Sequence, residues 1–392
     1  KIMYTYILLF IIPWFFSSLN KDNILHKSNV FLVIYLLTLV SFLGFRYEFG
    51  TDWSEYSKDY FQTISNYKEV GFFEAIGLNN LLNFELLGLI GGLPLYNLTF
   101  ILSYHISDNI IFFNFLNSFI AVFGIYYYFK ILNLKNQILW PLICFIFPFF
   151  IFISTDIIRQ FTSLIFILIS LAYFQNSKFY RSIIFLVIAS FFHISSLIFF
   201  GLFLLNKSKF RVVIVISFIF IFVHSYLLKT NNFLIELIYF YLSADRLGTY
   251  SINFNYFLFL YPFFLVTILY YLKIFNKTEK KIISFFIVYG LLCFCFALLD
   301  DTVSYRLSVY LLIFYIFIIS IYLKNFNMKK LFWFKQSLVY FSAAMIFIWL
   351  NFSEHKHVYL PYKSVLSVEK NFHETKTQIC AKYPHLCMFK QQ

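Results

Sequence analysis

Four arginines stand beside apolar, membrane-length stretches of this chain: Arg46, Arg159, Arg246 and Arg306. A guanidinium keeps its charge and is costly inside a bilayer, so several of them converging from separate loops suit a polyanion. A pyrophosphate head group is a natural candidate. The same residues could instead mark span ends, snorkel to lipid phosphates or pair with Asp156, Asp245 and Asp300. Arg46 opens the charged run Arg46-Tyr47-Glu48-Phe49-Gly50-Thr51-Asp52-Trp53-Ser54-Glu55-Tyr56. Within it, Asp52 follows a Gly-Thr turn and could act as a general base or orient a sugar hydroxyl; equally, it could cap the helix from Trp53 to Ser65. Tyr56, with Trp53 and Tyr60, offers rings suited to an interface or to a sugar face.

His193 is the only histidine within the apolar stretch 182–205, where Ser195 and Ser196 flank it. Its ordinary pKa lets an imidazole accept a proton near neutrality, so it is a candidate base; a hydrogen-bonded structural histidine is the alternative. Glu85 opens another apolar stretch and could pair with one of the arginines or merely mark a helix end. No metal site is expected. Cys293-Phe294-Cys295 is too tight and too apolar for zinc, and Cys380 and Cys387 in the polar tail could form a disulfide if the tail meets an oxidising compartment.

The elements that must hold these residues are membrane spans. With 61% hydrophobic and only 12% charged residues and a mean hydropathy of +0.77, the chain is excluded from the soluble globular class. The formal charge of +13 is not a nucleic-acid signature, because most Lys and Arg fall in short loops where they set orientation. No cleavable leader pattern opens the chain, so Ile2 to Leu19 reads as a retained span. The expected fold is an all-α polytopic integral membrane protein with about ten full spans. They fall near 3–19, 30–45, 110–130, 138–154, 160–175, 212–228, 256–275, 282–299, 307–323 and 331–351.

Two further stretches, 81–104 and 182–205, are re-entrant or short-helix elements: the first must return to the outer face, where the acidic segment 46–82 lies, for Lys130 to fall inside, and basic residues that belong on one side flank the second. Gly91-Gly92 and Pro94 would break the first. The second is expected to be a hairpin of two short helices turning near Phe192 to Ser196, its rival being one ordinary span. Residues 1–351 then form one polytopic domain with outer loops 46–109 and 229–255, and 352–392 a polar tail on the outer side.

Taken in order, several stretches resemble the EpsG/Wzy-type polysaccharide polymerases of bacterial envelopes. They are Arg46 through Asp52 to Tyr56, Glu85, Asp156 to Gln160, Phe192 to Ser196, and Tyr305-Arg306 through Tyr310, together covering about residues 40 to 320. The resemblance implies transfer of a growing glycan from undecaprenyl pyrophosphate to the sugar end of an incoming undecaprenyl-pyrophosphate-linked repeat unit. That reaction needs no cofactor or metal and takes place at the periplasmic face of the inner membrane. It implies His193 as base and Asp52 as orienting group, with Arg46, Arg159, Arg246, Arg306, Glu85, Tyr56 and Tyr305 binding substrate. It leaves room for a GT-C-like architecture, and membrane lipids and a chain-length regulator protein are the other expected partners. The alternatives are a polyprenyl-phosphate-dependent glycosyltransferase, an O-antigen ligase, or, in a different class, a flippase of lipid-linked saccharides.

Overall fold

The computed structural model describes residues 3–18, 29–46, 53–77, 93–107, 110–204, 275–297, 309–325 and 336–347. Among them there is no strand, and the elements in chain order are helical. They are α1 (Met3–Ser18), α2 (Asn29–Gly44), α3 (Trp53–Glu69), α4 (Phe72–Ala75), α5 (Pro94–Ile106), α6 (Ile110–Ile131), α7 (Asn136–Asp156), α8 (Ile158–Gln175) and α9 (Phe179–Phe192). A 3-10 helix (Ile194–Phe200) follows, then α10 (Gly201–Leu204), α11 (Lys277–Ala297), α12 (Leu311–Asn325) and α13 (Gln336–Phe347). Helices thus occupy eight of the expected spans, while those at 212–228 and 256–275 lie outside the described residues. By length and composition, α6 and α8 are long and apolar enough to cross a membrane, and α1, α2, α9, α12 and α13 hold shorter apolar stretches.

The centre of the bundle is α8. It buries side chains on every side, a few polar ones among mostly apolar ones, and a helix of that kind has to be surrounded. It packs against α6, α7, α9, α11, α12 and the 3-10 helix. Lipid tails are as apolar as leucine, so close backbone approach matters more here than water exclusion. Gly124 on α6 supplies one such approach, since a Cβ there would lie 2.3 Å from Cγ2 of Ile165 on α8. Gly44 at the end of α2 supplies another, with the Phe115 Cα 2.7 Å from where a Cβ would stand. Towards the α8–α9 turn, Ser170 and Ser182 each donate to the other's carbonyl oxygen at 2.8 Å, which satisfies both buried hydroxyls across the helix pair.

The expected hairpin in 182–205 is present. α9 ends at Phe192, His193 is extended (φ −158°, ψ 119°), and the chain reverses. The reversal shows in a small cavity whose wall joins Phe199 and Leu202 of the second arm to Ser182 and Leu186 of the first. The second arm differs from expectation in being mostly 3-10 rather than α-helical. That tighter winding rises about 2 Å per residue, so seven residues carry Phe199 down to the rings of Phe285, Phe286 and Tyr289 on α11. α11 itself starts on a reciprocal cap: the Glu279 N–H donates to Asn276 Oδ1 at 2.9 Å, and Glu279 Oε2 accepts from the Asn276 N–H at 2.8 Å. Glu279 Oε1 also accepts from Gln175 Nε2 at 2.8 Å, tying the start of α11 to the end of α8.

A second, smaller core lies at the opposite end. α3 buries Tyr56, Tyr60 and Ile64 on one face and exposes Lys58, Phe61 and Gln62 on the other. Those buried residues pack with Tyr96, Phe100 and Ile101 of α5, and with Ile110, Phe113, Ile158 and Phe192. The last four come from the first turns of α6 and α8 and the last turn of α9. α3, α4 and α5 therefore form a cap seated on the end of the bundle. Pro94 stands at the first position of α5, where its missing N–H costs nothing, so it starts this helix rather than breaking one. The rest of the expected re-entrant stretch, Gly91 and Gly92 included, lies outside the described residues.

Candidate active site

The seam between cap and bundle gathers the polar side chains. Tyr56 is buried, and its hydroxyl accepts a hydrogen bond from the Ile158 backbone N–H at 2.9 Å, meeting one of the amides that the first turn of α8 leaves unpaired. The next residue, Arg159, lays its guanidinium over the ring of Tyr96, 5.3 Å from the centroid. Asp59 sits one turn along α3 from Tyr56. Partial burial raises its carboxyl above the ordinary value, while the charges of Arg159 and Lys58 pull the other way. A cation and two aromatic rings thus adjoin the positive end of the α8 dipole, a setting that favours an anionic ligand, with the Asp59 carboxyl as a competing partner for Arg159.

Arg46 reaches the same end from α2. It is only 2% exposed; Nη1 donates to the Leu43 carbonyl at 3.2 Å and Nη2 to Asn114 Oδ1 at 3.3 Å. One turn further along α6, Asn117 Oδ1 accepts from Thr162 Oγ1 of α8 at 3.4 Å. Arg46, Asn114, Asn117 and Thr162 form a buried polar track leading from the seam into the bundle. At least part of the Arg46 charge serves that track.

His193 lies at the same end, directly after Phe192 of the small core. Its Nδ1 is 2.6 Å from Ser195 Oγ and 3.1 Å from the hydroxyl of Tyr310, and Ser195 Oγ is 2.7 Å from that same hydroxyl. The hairpin turn is thereby fastened to the residue that precedes α12.

Of the residues expected from sequence, Arg46, Tyr56, Arg159 and His193 are brought to one end of the bundle. Asp52, Glu85, Arg246, Tyr305 and Arg306 lie outside the described residues, as do loop 229–255, the tail 352–392 with Cys380 and Cys387, and the side chain of Asp156. Sequence reasoning did not single out Asp59, Tyr96, Asn114, Asn117, Thr162, Ser195 or Tyr310 as site residues. For Asn114 and Asn117 a signal existed: two amides three positions apart within an apolar span share a helix face and demand partners.

Apolar helices enclosing a polar, capped end are those of a membrane protein. Residues 29–364 match the EpsG family, and the chain belongs to it. Membership suggests a polysaccharide polymerase-like role in surface polysaccharide biosynthesis. No curated protein matches the chain significantly, and no solved structure does.

Proposed function

We propose that this protein polymerises lipid-linked oligosaccharide repeat units, moving the growing glycan from undecaprenyl pyrophosphate to the sugar end of an incoming unit. The reading is supported by one observation above the others: a cation (Arg159) lies over Tyr96 and, like the imidazole turn at His193, directly follows a residue (Ile158, Phe192) of the small core that holds Tyr56 and Tyr96 at the end of an apolar bundle. The apolar helices below would accept the polyprenyl tails, and the seam would accept the charged and sugar portions.

In the transfer, the acceptor hydroxyl oxygen forms a bond to the anomeric carbon while the bond from that carbon to pyrophosphate breaks. The electron pair leaves with the pyrophosphate, whose added charge Arg159 and the positive end of α8 stabilise. The acceptor's proton passes to His193. Asp52 would orient the acceptor, while Glu85, Arg246, Tyr305 and Arg306 would complete the binding surface, with Arg46 held inward as its support. The seam would face the periplasmic side of the bacterial inner membrane, and a chain-length regulator would be a partner.

Purified protein in proteoliposomes, supplied with undecaprenyl-pyrophosphate-linked repeat units, tests this. Long chains on the lipid carrier support the proposal. A single added sugar would make it a glycosyltransferase, transfer to another lipid acceptor a ligase, and movement across the bilayer without any change in chain length a transporter.

A further inference from the structure

We infer that the furrow between α6 and α9 holds the head-proximal isoprene units of the lipid-linked substrate, an identity for the occupant that rests on the polymerase reading. α6 and α9 both pack along α8 and scarcely on each other, so α8 forms the floor of the furrow. Aromatic rings line it in file. From α6, Tyr127 meets Tyr173 of α8 at 6.5 Å between centroids, and their hydroxyls are hydrogen-bonded. Tyr173 stacks on Phe185 of α9 at 5.4 Å and 15°, Phe185 on Phe166 of α8 at 6.3 Å and 18°, and Phe166 on Phe192 at 5.4 Å and 16°. These near-parallel pairs alternate between the two helices and lead towards the seam.

The two ends differ in chemistry. At one end Phe192 and Phe166 reach the small core with Tyr96, the ring under the Arg159 guanidinium, and α5 covers the furrow there by packing on both α6 and α9. At the other end the Tyr127–Tyr173 hydroxyl pair and the guanidinium of Arg181, 5.8 Å from the Tyr173 centroid, close the apolar path. Arg181 to Phe192 is about 16 Å of helix, shorter than a long polyprenyl chain. The surplus has a way out, since the furrow is open sideways: Tyr127 is 41% exposed and Ile184 of α9 56%. Bulk lipid tails are as apolar as these walls, so burial alone selects nothing and close contact has to. A polyprenyl chain carries a double bond and a methyl branch in every unit, and its flat segments match stacked ring faces better than a saturated tail does. Selection is completed at the seam. A pyrophosphate held by Arg159 and the start of α8 brings its own first isoprene units to Phe192 at high effective concentration, an advantage that an unanchored tail lacks.

Photocrosslinking of the full-length protein in lipid nanodiscs tests this, with undecaprenyl pyrophosphate as the probe. A benzophenone amino acid replaces Phe185 or Tyr127, and Ile34 of α2, 55% exposed, is the control position for bulk lipid. Mass spectrometry reads which lipid becomes attached. The expected result is undecaprenyl adducts at the Phe185 and Tyr127 positions in clear excess over Ile34. Equal undecaprenyl labelling at all of them, or phospholipid alone at Phe185 and Tyr127, overturns the inference. The Tyr127 ring is partly exposed, so its replacement leaves the buried packing in place even where a Phe185 variant fails to fold. Phe185→Ala should also raise KM for an undecaprenyl-pyrophosphate-linked repeat unit by about tenfold with kcat little changed, and leave KM for the same unit on a geranyl carrier unmoved. An equal rise on both carriers would count against the furrow. Undecaprenyl labelling at Phe185 in a protein that makes no polymer would reject the polymerase reading and leave the furrow standing as a polyprenyl site.

Discussion

The hydroxyl of Tyr56 accepts a hydrogen bond from the backbone N–H of Ile158 at 2.9 Å, across 102 positions of sequence. One residue of the cap thereby completes the first turn of the central helix. Arg159 follows immediately, so the bond also fixes where its guanidinium emerges. Tyr56→Phe keeps the ring and orphans a buried amide, a loss of roughly 1–3 kcal/mol. The expected outcome is a lower midpoint of thermal unfolding in detergent and weaker binding of lipid-linked substrate. A Phe variant equal to wild type in both would reduce Tyr56 to a packing ring.

Arg159 is held over Tyr96 by geometry as much as by charge. Arg159→Lys keeps the charge but loses the flat stacking face and the paired donors. Polymerisation should fall at least tenfold in Lys and further in Ala, with the loss in Tyr96→Leu lying closer to the Lys variant, as measured by kcat/KM on a defined repeat unit. Equal activity of Lys and wild type would show that charge alone matters.

Asp59 gives a pH dependence. Burial holds its folded-state carboxyl above the ordinary value, against the pull of Arg159 and Lys58. The folded protein therefore binds this proton more tightly than the unfolded chain does. The associated stability is fully present below the unfolded value and is lost as pH rises through the raised folded one. Asp59→Asn should unfold at a higher temperature than wild type at neutral pH, and the difference should vanish below about pH 4. A variant less stable than wild type at neutral pH would mean that the attraction of Arg159 outweighs burial.

The two helix contacts at glycine should respond differently to repair. Gly124→Ala meets a methyl of Ile165, which a second change to Ala removes, whereas Gly44→Ala meets the Cα of Phe115, which no side-chain change can move. Both single variants should lose stability by about 1–3 kcal/mol. Ile165→Ala should partly rescue the first, while Phe115→Ala should not rescue the second. Thermal unfolding of the four variants decides it, and an equal rescue in both pairs would contradict the packing.

Much of this was legible in the sequence, and for reasons that differ by residue. Apolar length gave the helices directly, because a span must satisfy its backbone internally. The hairpin around His193 was legible from charge, since Lys178 and Arg181 before it and Lys207 after it ask for the same side. Its 3-10 second arm was not, because that winding depends on where Phe199 finds the rings of α11. The cap was only half legible. α3 shows an amphipathic face, but nothing in its spacing says that the face meets the ends of α6, α8 and α9 rather than lipid. The inward turn of Arg46 was hidden too, since its partner Asn114 is 68 positions away and pairing over that distance is a property of the packed bundle.

The most direct measurement compares wild-type protein with His193→Gln in proteoliposomes loaded with undecaprenyl-pyrophosphate-linked repeat units, reading chain length on a gel. A ladder is expected from the wild type and a single retained repeat unit from the variant, with substrate binding intact in both. A variant that builds the same ladder at the same rate would contradict it.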